Sequence, residues 1–146
     1  MKTLILYYSY SGNTKSIAGK KAIETDADIE EIIELKKPSM PVGIYRALKR
    51  KKTEIQPIKA QLDSYEKIII MFPVWASFPV SAINSVIDCL PAGKKIEVIT
   101  ISGGGGTKKS ARGTKSLITA KGCESVGYTD MKVTRKKNEL SVKILD

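Results

Sequence analysis

Apolar positions along the chain fall into two alternating rhythms. Apolar-rich runs at Thr3 to Tyr8 (TLILYY), Lys67 to Phe72 (KIIIMF) and Lys95 to Ile101 (KIEVITI) predict the first, third and fourth strands, and KIIIMF is continuous enough for a central strand buried on both faces. Between them, apolar residues recur at intervals of three and four. Ile83, Val86, Ile87 and Leu90 predict a helix over 81–90, and Ile17, Ala18, Ala22 and Ile23 offer an inner face to a helix that opens at Asn13. A further helix is expected over 108–121, ended by Gly122, with Ile29 to Leu35 and Ser125 to Val133 as the second and fifth strands. Strand alternating with helix is the pattern of an α/β protein with a mostly parallel sheet. At 146 residues the chain reads as one domain, 1–146, able to bury about 70% of its unfolded surface.

Two stretches break the rhythm. The segment Pro38 to Pro57 is long for a connection and holds YRALKRKK, with Arg46, Lys49, Arg50, Lys51 and Lys52 nearly contiguous. It reads as a short solvated helix, or as a docking surface for an acidic partner. At the other end, Leu140, Val142 and Ile144 alternate with Ser141 and Lys143 after Arg135-Lys136-Lys137-Asn138. Period two predicts a strand returning from a hairpin as an antiparallel edge strand, where a closing helix would otherwise lie. A second subunit, making a homodimer, is the expected cover for the apolar surface left open.

Composition narrows the chemistry. The chain has no histidine, which removes Ser-His-Asp and Cys-His catalysis and the usual zinc ligand sets. Cys89 and Cys123 lie outside any C-x-x-C spacing, so free thiols in a reducing cytoplasm are expected. No apolar run approaches the roughly 20 residues of a membrane span, and neither a span nor a leader peptide is expected. Gly103 to Gly106 is followed by Thr107-Lys108, which fails the G-x4-G-K-(S/T) spacing, and no third glycine completes G-x-G-x-x-G. A net charge of +10 favours acidic partners, phosphates or nucleic acid. The basic residues are not interleaved with aromatics, and no nucleic-acid motif is present, so nucleic acid is the weaker partner.

The candidate chemistry follows three of the strands. After the first comes Ser9-Tyr10-Ser11-Gly12-Asn13-Thr14, where Gly12 permits φ > 0, the first helix amides lack internal partners and the hydroxyls add donors. A phosphate suits that turn, although a capped turn without a ligand has the same look. After the third comes Pro73-Val74-Trp75-Ala76-Ser77-Phe78-Pro79 with the sole tryptophan, which stacks on a ligand or else closes the sheet edge as a core residue. After the fourth comes Ser102-Gly103-Gly104-Gly105-Gly106, a place for close backbone approach or a flexible connector.

Ser9, Ser11, Gly12 and Thr14 match (T/S)-x-(T/S)-G-x-T, and the turn resembles the phosphate loop of the flavodoxin family; Pro73-Val74-Trp75 resembles that family's P-x-W flavin loop. The resemblance implies a flavodoxin-like three-layer sandwich with parallel order 2-1-3-4-5 and FMN at the switch point of strand order. It places the phosphate on Ser9, Ser11, Gly12, Asn13 and Thr14. The flavin ring falls to Pro73, Val74, Trp75, Ala76 and Ser77, with Ser77 standing where related loops often have Gly; Ser102, Gly103, Gly104 and Gly105 would meet its pyrimidine edge, and Tyr10 packs either on the cofactor or toward solvent. Residues 1–23, 68–87 and 98–123 contain no Asp or Glu, whereas Lys15, Lys108, Lys109 and Arg112 lie close by. A neutral to positive rim is therefore expected, suited to an acidic redox protein partner or an anionic small substrate. The functions in view are electron transfer, NAD(P)H-dependent reduction of flavin or quinone, and a non-enzymatic basic binding module.

Overall fold

The apolar runs form the middle of a seven-stranded sheet in the computed structural model, which describes residues 2–145. Its strands are β1 (Thr3–Tyr7), β2 (Asp28–Glu31), β3 (Lys67–Trp75), β4 (Phe78–Pro79), β5 (Lys95–Ser102), β6 (Glu124–Lys136) and β7 (Glu139–Leu145). The order is β2-β1-β3-β5-β6-β7, with β4 paired only to β3. The five strands from β2 to β6 along that path are parallel, which reproduces the expected 2-1-3-4-5 order, and β7 adds the expected antiparallel edge. Four helices connect them: α1 (Asn13–Thr25), α2 (Met40–Leu48), α3 (Ser81–Asp88) and α4 (Ala111–Ala120).

Alternation along the strands divides the core in two. Leu4, Leu6, Ile68, Ile70, Phe72, Ile96 and Val98 face Ala47 of α2, Ile83, Val86 and Ile87 of α3 and Ile118 of α4. Ile5, Tyr7, Ile69, Met71, Ile99 and Ile101 face the other way, onto Ile17 and Ala18 of α1, and Val133 and Leu140 of the last hairpin join them. That hairpin turns on Lys137 and Asn138, both at positive φ, and pairs β6 with β7 from Asp130↔Leu145 to Lys136↔Glu139. Two left-handed central residues give the twist that a tight two-residue hairpin needs. No fifth helix follows β6 among the described residues.

Several expectations are corrected. The second strand stops at Glu31: Ile32 still gives its amide to Tyr7 O of β1, but the chain then leaves the sheet, and Glu34 makes only a bridge to Ile55. Ile23 is 85% exposed: six residues beyond Ile17, it lies about 240° round the helix, off the stripe of Thr14, Ile17 and Ala18. The fourth helix begins at Ala111 instead of Lys108, after a turn in which Ser110 and Ala111 both bond Thr107 O. Gly122 ends it as expected, at φ +81° with its amide on Thr119 O. The segment expected as a solvated helix forms α2, but Gly43 and Ala47 are buried.

Candidate functional site

The loops after β1, β3 and β5 meet at the carboxyl ends of the parallel strands. They enclose a cleft of about 170 Å³ lined by Tyr10, Ser11, Asn13 and Thr14, by Pro73, Val74 and Trp75, by Ile101, Ser102 and Gly103, and by Val133 of β6. Of the residues singled out from sequence, Ser9, Gly12, Ala76, Ser77, Gly104 and Gly105 do not line this cleft. Ile101 and Val133 line it without having been singled out. Their positions read as ordinary apolar strand residues, and only the three-dimensional convergence shows them at its floor.

The first loop is shaped by its own donors and acceptors. Gly12 sits at φ +101° directly before α1, a conformation a side chain would strain. Ser9 Oγ accepts the amides of Gly12 at 3.1 Å and Lys15 at 3.3 Å, so Ser9 braces the loop from beneath. The first helical bond runs from Ser16 to Gly12 O at 3.2 Å, so the amides of Asn13 and Thr14 precede the ladder and lack helical acceptors. A cluster of free amides at a helix start, with no carboxylate in the loop, is the donor set a phosphate needs.

Trp75 is the last residue of β3 and not a loop residue. It is 9% exposed, and the chain reverses after it through Ala76 and Ser77, at φ 52° and 69°, to pair Trp75 with Phe78. Glycine would suit that turn, and Ser77 holds it with a carbonyl that accepts Ser110 Oγ–H at 2.5 Å. The tryptophan is wedged from behind: a Cβ on Gly43 of α2 would stand 2.2 Å from its Cζ3, so α2 approaches only because residue 43 has no side chain. Tyr10 meets it edge to face, centroids 5.0 Å apart, and Tyr10 is itself fixed by a hydroxyl bond to Pro38 O and by Lys37 Nζ, 3.9 Å from its ring. Trp75 is thus both a core residue and one wall of the cleft.

The third loop is held by a carboxylate that its own sequence lacks. Asp130 of β6 accepts the Thr107 amide at 3.1 Å, the Thr107 hydroxyl at 2.7 Å and the Thr100 hydroxyl, and Tyr128 donates its hydroxyl to Thr107 Oγ1 at 2.8 Å. Gly106, at φ +72°, fits against this carboxylate, whereas Gly103, Gly104 and Gly105 have open space where a Cβ would go. Their backbone is free to meet a planar ligand edge on. The loops themselves carry no Asp or Glu, and the carboxylate that organises the third comes from β6, where Asp130 is not among the residues that line the cleft. A second acid, Glu34, takes the Tyr8 hydroxyl just beneath the first loop, and its other oxygen is buried without a partner. Burial, reinforced by that bond and by the charge of Glu34, pushes the Tyr8 phenol well above its usual range.

The cations do not form one continuous face. Arg50 turns inward, donating to Thr114 Oγ1 at 3.1 Å and Ser110 O at 2.8 Å across the ring of Phe78, and desolvation lowers its pKa. Lys52 pairs with Asp88 at 3.0 Å. Arg46, Lys51 and Lys52 do share a groove with Lys36, while Lys108, Arg112 and Lys115 line another along α4. Arg135, reaching from the last hairpin, donates through Nε at 3.2 Å and Nη2 at 2.9 Å to Asn13 Oδ1 at the cleft mouth. Among the described residues no helix is long and apolar enough to cross a membrane, and no group of His, Cys, Asp and Glu is placed to hold a metal ion.

Solved structures share this architecture. A flavoprotein from Lactobacillus acidophilus NCFM, crystallised in complex with FMN, is 25% identical, with 88% of this chain and 92% of that chain covered and a TM-score of 0.74. A putative flavoprotein from Bacteroides eggerthii is 20% identical over 88% of this chain and 87% of that chain, with a TM-score of 0.76. Oxidised flavodoxin 2 from Bacillus cereus is 20% identical over 94% of this chain and 90% of that chain, with a TM-score of 0.54, and these two likenesses are of fold alone. No curated protein matches by sequence. The family model described as flavodoxin matches residues 2–139, spanning all three cleft loops, and the chain belongs to the flavodoxin family.

Proposed function

We propose that this protein binds FMN in the cleft between the three loops and serves in electron transfer. The observation that carries the reading is the convergence of a phosphate-type turn, an aromatic wall and an open glycine backbone on one cleft. The Lactobacillus flavoprotein in complex with FMN supports it. Bound FMN would supply one- and two-electron redox chemistry, and the chain would supply binding, orientation and electrostatics. Asn13 and Thr14 would take the phosphate together with the Ser11 hydroxyl, in the turn that Gly12 shapes and Ser9 braces. Trp75, backed by Gly43 and Tyr10, would contact the ring, and Ser102 to Gly105 would meet its polar edge. Ala76 and Ser77 would act through the turn that sets Trp75.

The test is titration calorimetry with FMN. Binding is expected, weakened by Thr14→Ala through the loss of a charge-assisted hydrogen bond of about 1.5 to 3 kcal/mol. No heat of binding by the wild type would overturn the reading, and equal affinity for riboflavin would remove the phosphate site from it.

The reading extends to partners. The cationic grooves suit an acidic redox protein or an anionic small substrate, in a cytoplasmic protein that pairs with a second copy across Met131, Val142 and Ile144. The groove of Lys108, Arg112 and Lys115 also favours a second reading, in which a nicotinamide dinucleotide delivers hydride to the flavin. Steady NADPH oxidation by the FMN-loaded protein would select that reading over a pure carrier.

A further inference from the structure

We propose that Arg135 is the charged positioning residue of the phosphate site, an inference that rests on the FMN reading and adds to it a side chain outside the three loops. The geometry is specific. Two guanidinium nitrogens converge on one acceptor, Asn13 Oδ1, so the oxygen of that amide is occupied by donors and its Nδ2 is left as the donating end. Asn13 is the first residue of α1 and lines the cleft, and its amide therefore presents hydrogens, not lone pairs, at the mouth where an anion would enter.

Arg135 reaches this place because of the hairpin. β6 runs three residues past Ser102↔Lys132, the last pair it makes with β5, before Arg135 pairs with Leu140, and Leu140 packs on the core beside α1. A helix after β6 would take the chain away from the sheet plane; the antiparallel return instead holds the strand straight and delivers its cation to the start of α1. With no acidic residue in the stretch Ser9 to Lys21, the guanidinium there has no carboxylate competitor within the loop. A dianionic phosphate seated on the amides of Asn13 and Thr14 would gain a fixed positive charge next to it as well as the oriented amide.

The experiment compares FMN with riboflavin, which lacks the phosphate, on the full-length protein and on Arg135→Ala and Arg135→Lys, with thermal midpoints measured in parallel. Arg135→Ala should weaken FMN binding about tenfold, the low end for a charge-assisted hydrogen bond because Arg135 is exposed. Riboflavin affinity should change less than about twofold, since only the phosphate sees the charge. Arg135→Lys should fall between the two, and the salt dependence of FMN affinity should be shallower in Arg135→Ala than in the wild type. Equal losses for FMN and riboflavin, or no loss for FMN, would overturn the proposal and leave Arg135 a hairpin contact. A wild type that binds no FMN would instead overturn the FMN reading, and this inference with it.

Discussion

The two faces of the sheet solve the problem of burial differently. On one, three helices cover the strands, and Leu6, Ile68, Ile70, Phe72, Ile83, Ile96 and Ile118 all have no exposed surface. On the other, α1 stands alone. Ile5 and Met71 are sealed beneath it, yet the sheet beyond turns polar, with Lys67 and Glu97 in a 2.8 Å ion pair on β3 and β5, and then apolar again at Val142 and Ile144, 47% and 61% exposed. Closed packing on one side makes a rigid platform. Incomplete packing on the other leaves room for the hairpin to lie beside α1 and leaves Val142 and Ile144 open to solvent. Burial is thus concentrated on the α2, α3 and α4 side, whereas Val142 and Ile144 stay exposed on the side of α1.

The largest expected effect tests that contrast directly. Phe72→Ala should cost about 3 to 5 kcal/mol in urea unfolding, from lost transfer energy and the cavity left on the covered face. A loss below about 1 kcal/mol would mean that the covered face relaxes as freely as the open one. Next, Gly43→Ala should cost about 1 to 3 kcal/mol, because its Cβ must displace the Trp75 ring, and the tryptophan emission should shift with it. Unchanged emission and stability would show that α2 yields, not Trp75.

A smaller effect is expected in alkali. Tyr8 is kept neutral in the folded protein, first by burial and then by Glu34, while its unfolded counterpart ionises near the ordinary value of 10.0. The contribution of Tyr8 to stability is complete below that pH and is lost as the pH rises further, because the unfolded state releases its proton first. The thermal midpoint should therefore fall above pH 10 more steeply in the wild type than in Tyr8→Phe. Parallel slopes would place the alkaline sensitivity in the other raised phenols, Tyr7, Tyr65 and Tyr128. The smallest effect on the fold belongs to the open face. Val142→Ser combined with Ile144→Ser should change urea stability of the isolated subunit by about 0.5 kcal/mol or less while converting a dimer to a monomer in sedimentation equilibrium. A wild type that sediments as a monomer at every concentration would remove the second subunit from the account.

Element types were legible wherever periodicity was strong. The central strands and α3 follow from their apolar spacing, and the returning edge strand from the alternation of Leu140, Val142 and Ile144. What sequence could not supply were the contacts between distant segments. Asp130 lies within the fifth strand and was not singled out, although it anchors the glycine loop, and Gly43 was not singled out within the basic segment, although it admits the edge of Trp75. Arg50 is indistinguishable by composition from its neighbours Lys49 and Lys51, and only packing shows that it crosses to Thr114 and Ser110 while they do not. Short-range pattern reports the period of an element, whereas these roles depend on which elements meet.

The hairpin has a kinetic consequence as well. β1 must find β3 across the whole of α1, β2 and α2 before Leu4 can sit beside Ile68, but β6 and β7 are joined by Lys137 and Asn138 alone. Closure of a tight hairpin takes about 1 to 10 μs, far less than parallel pairing between remote segments. Two strands alone are only marginally stable in water. During refolding, β6 and β7 would therefore open and close repeatedly until β5 is in place to hold them, so this hairpin is among the first pairs to form and among the last to persist.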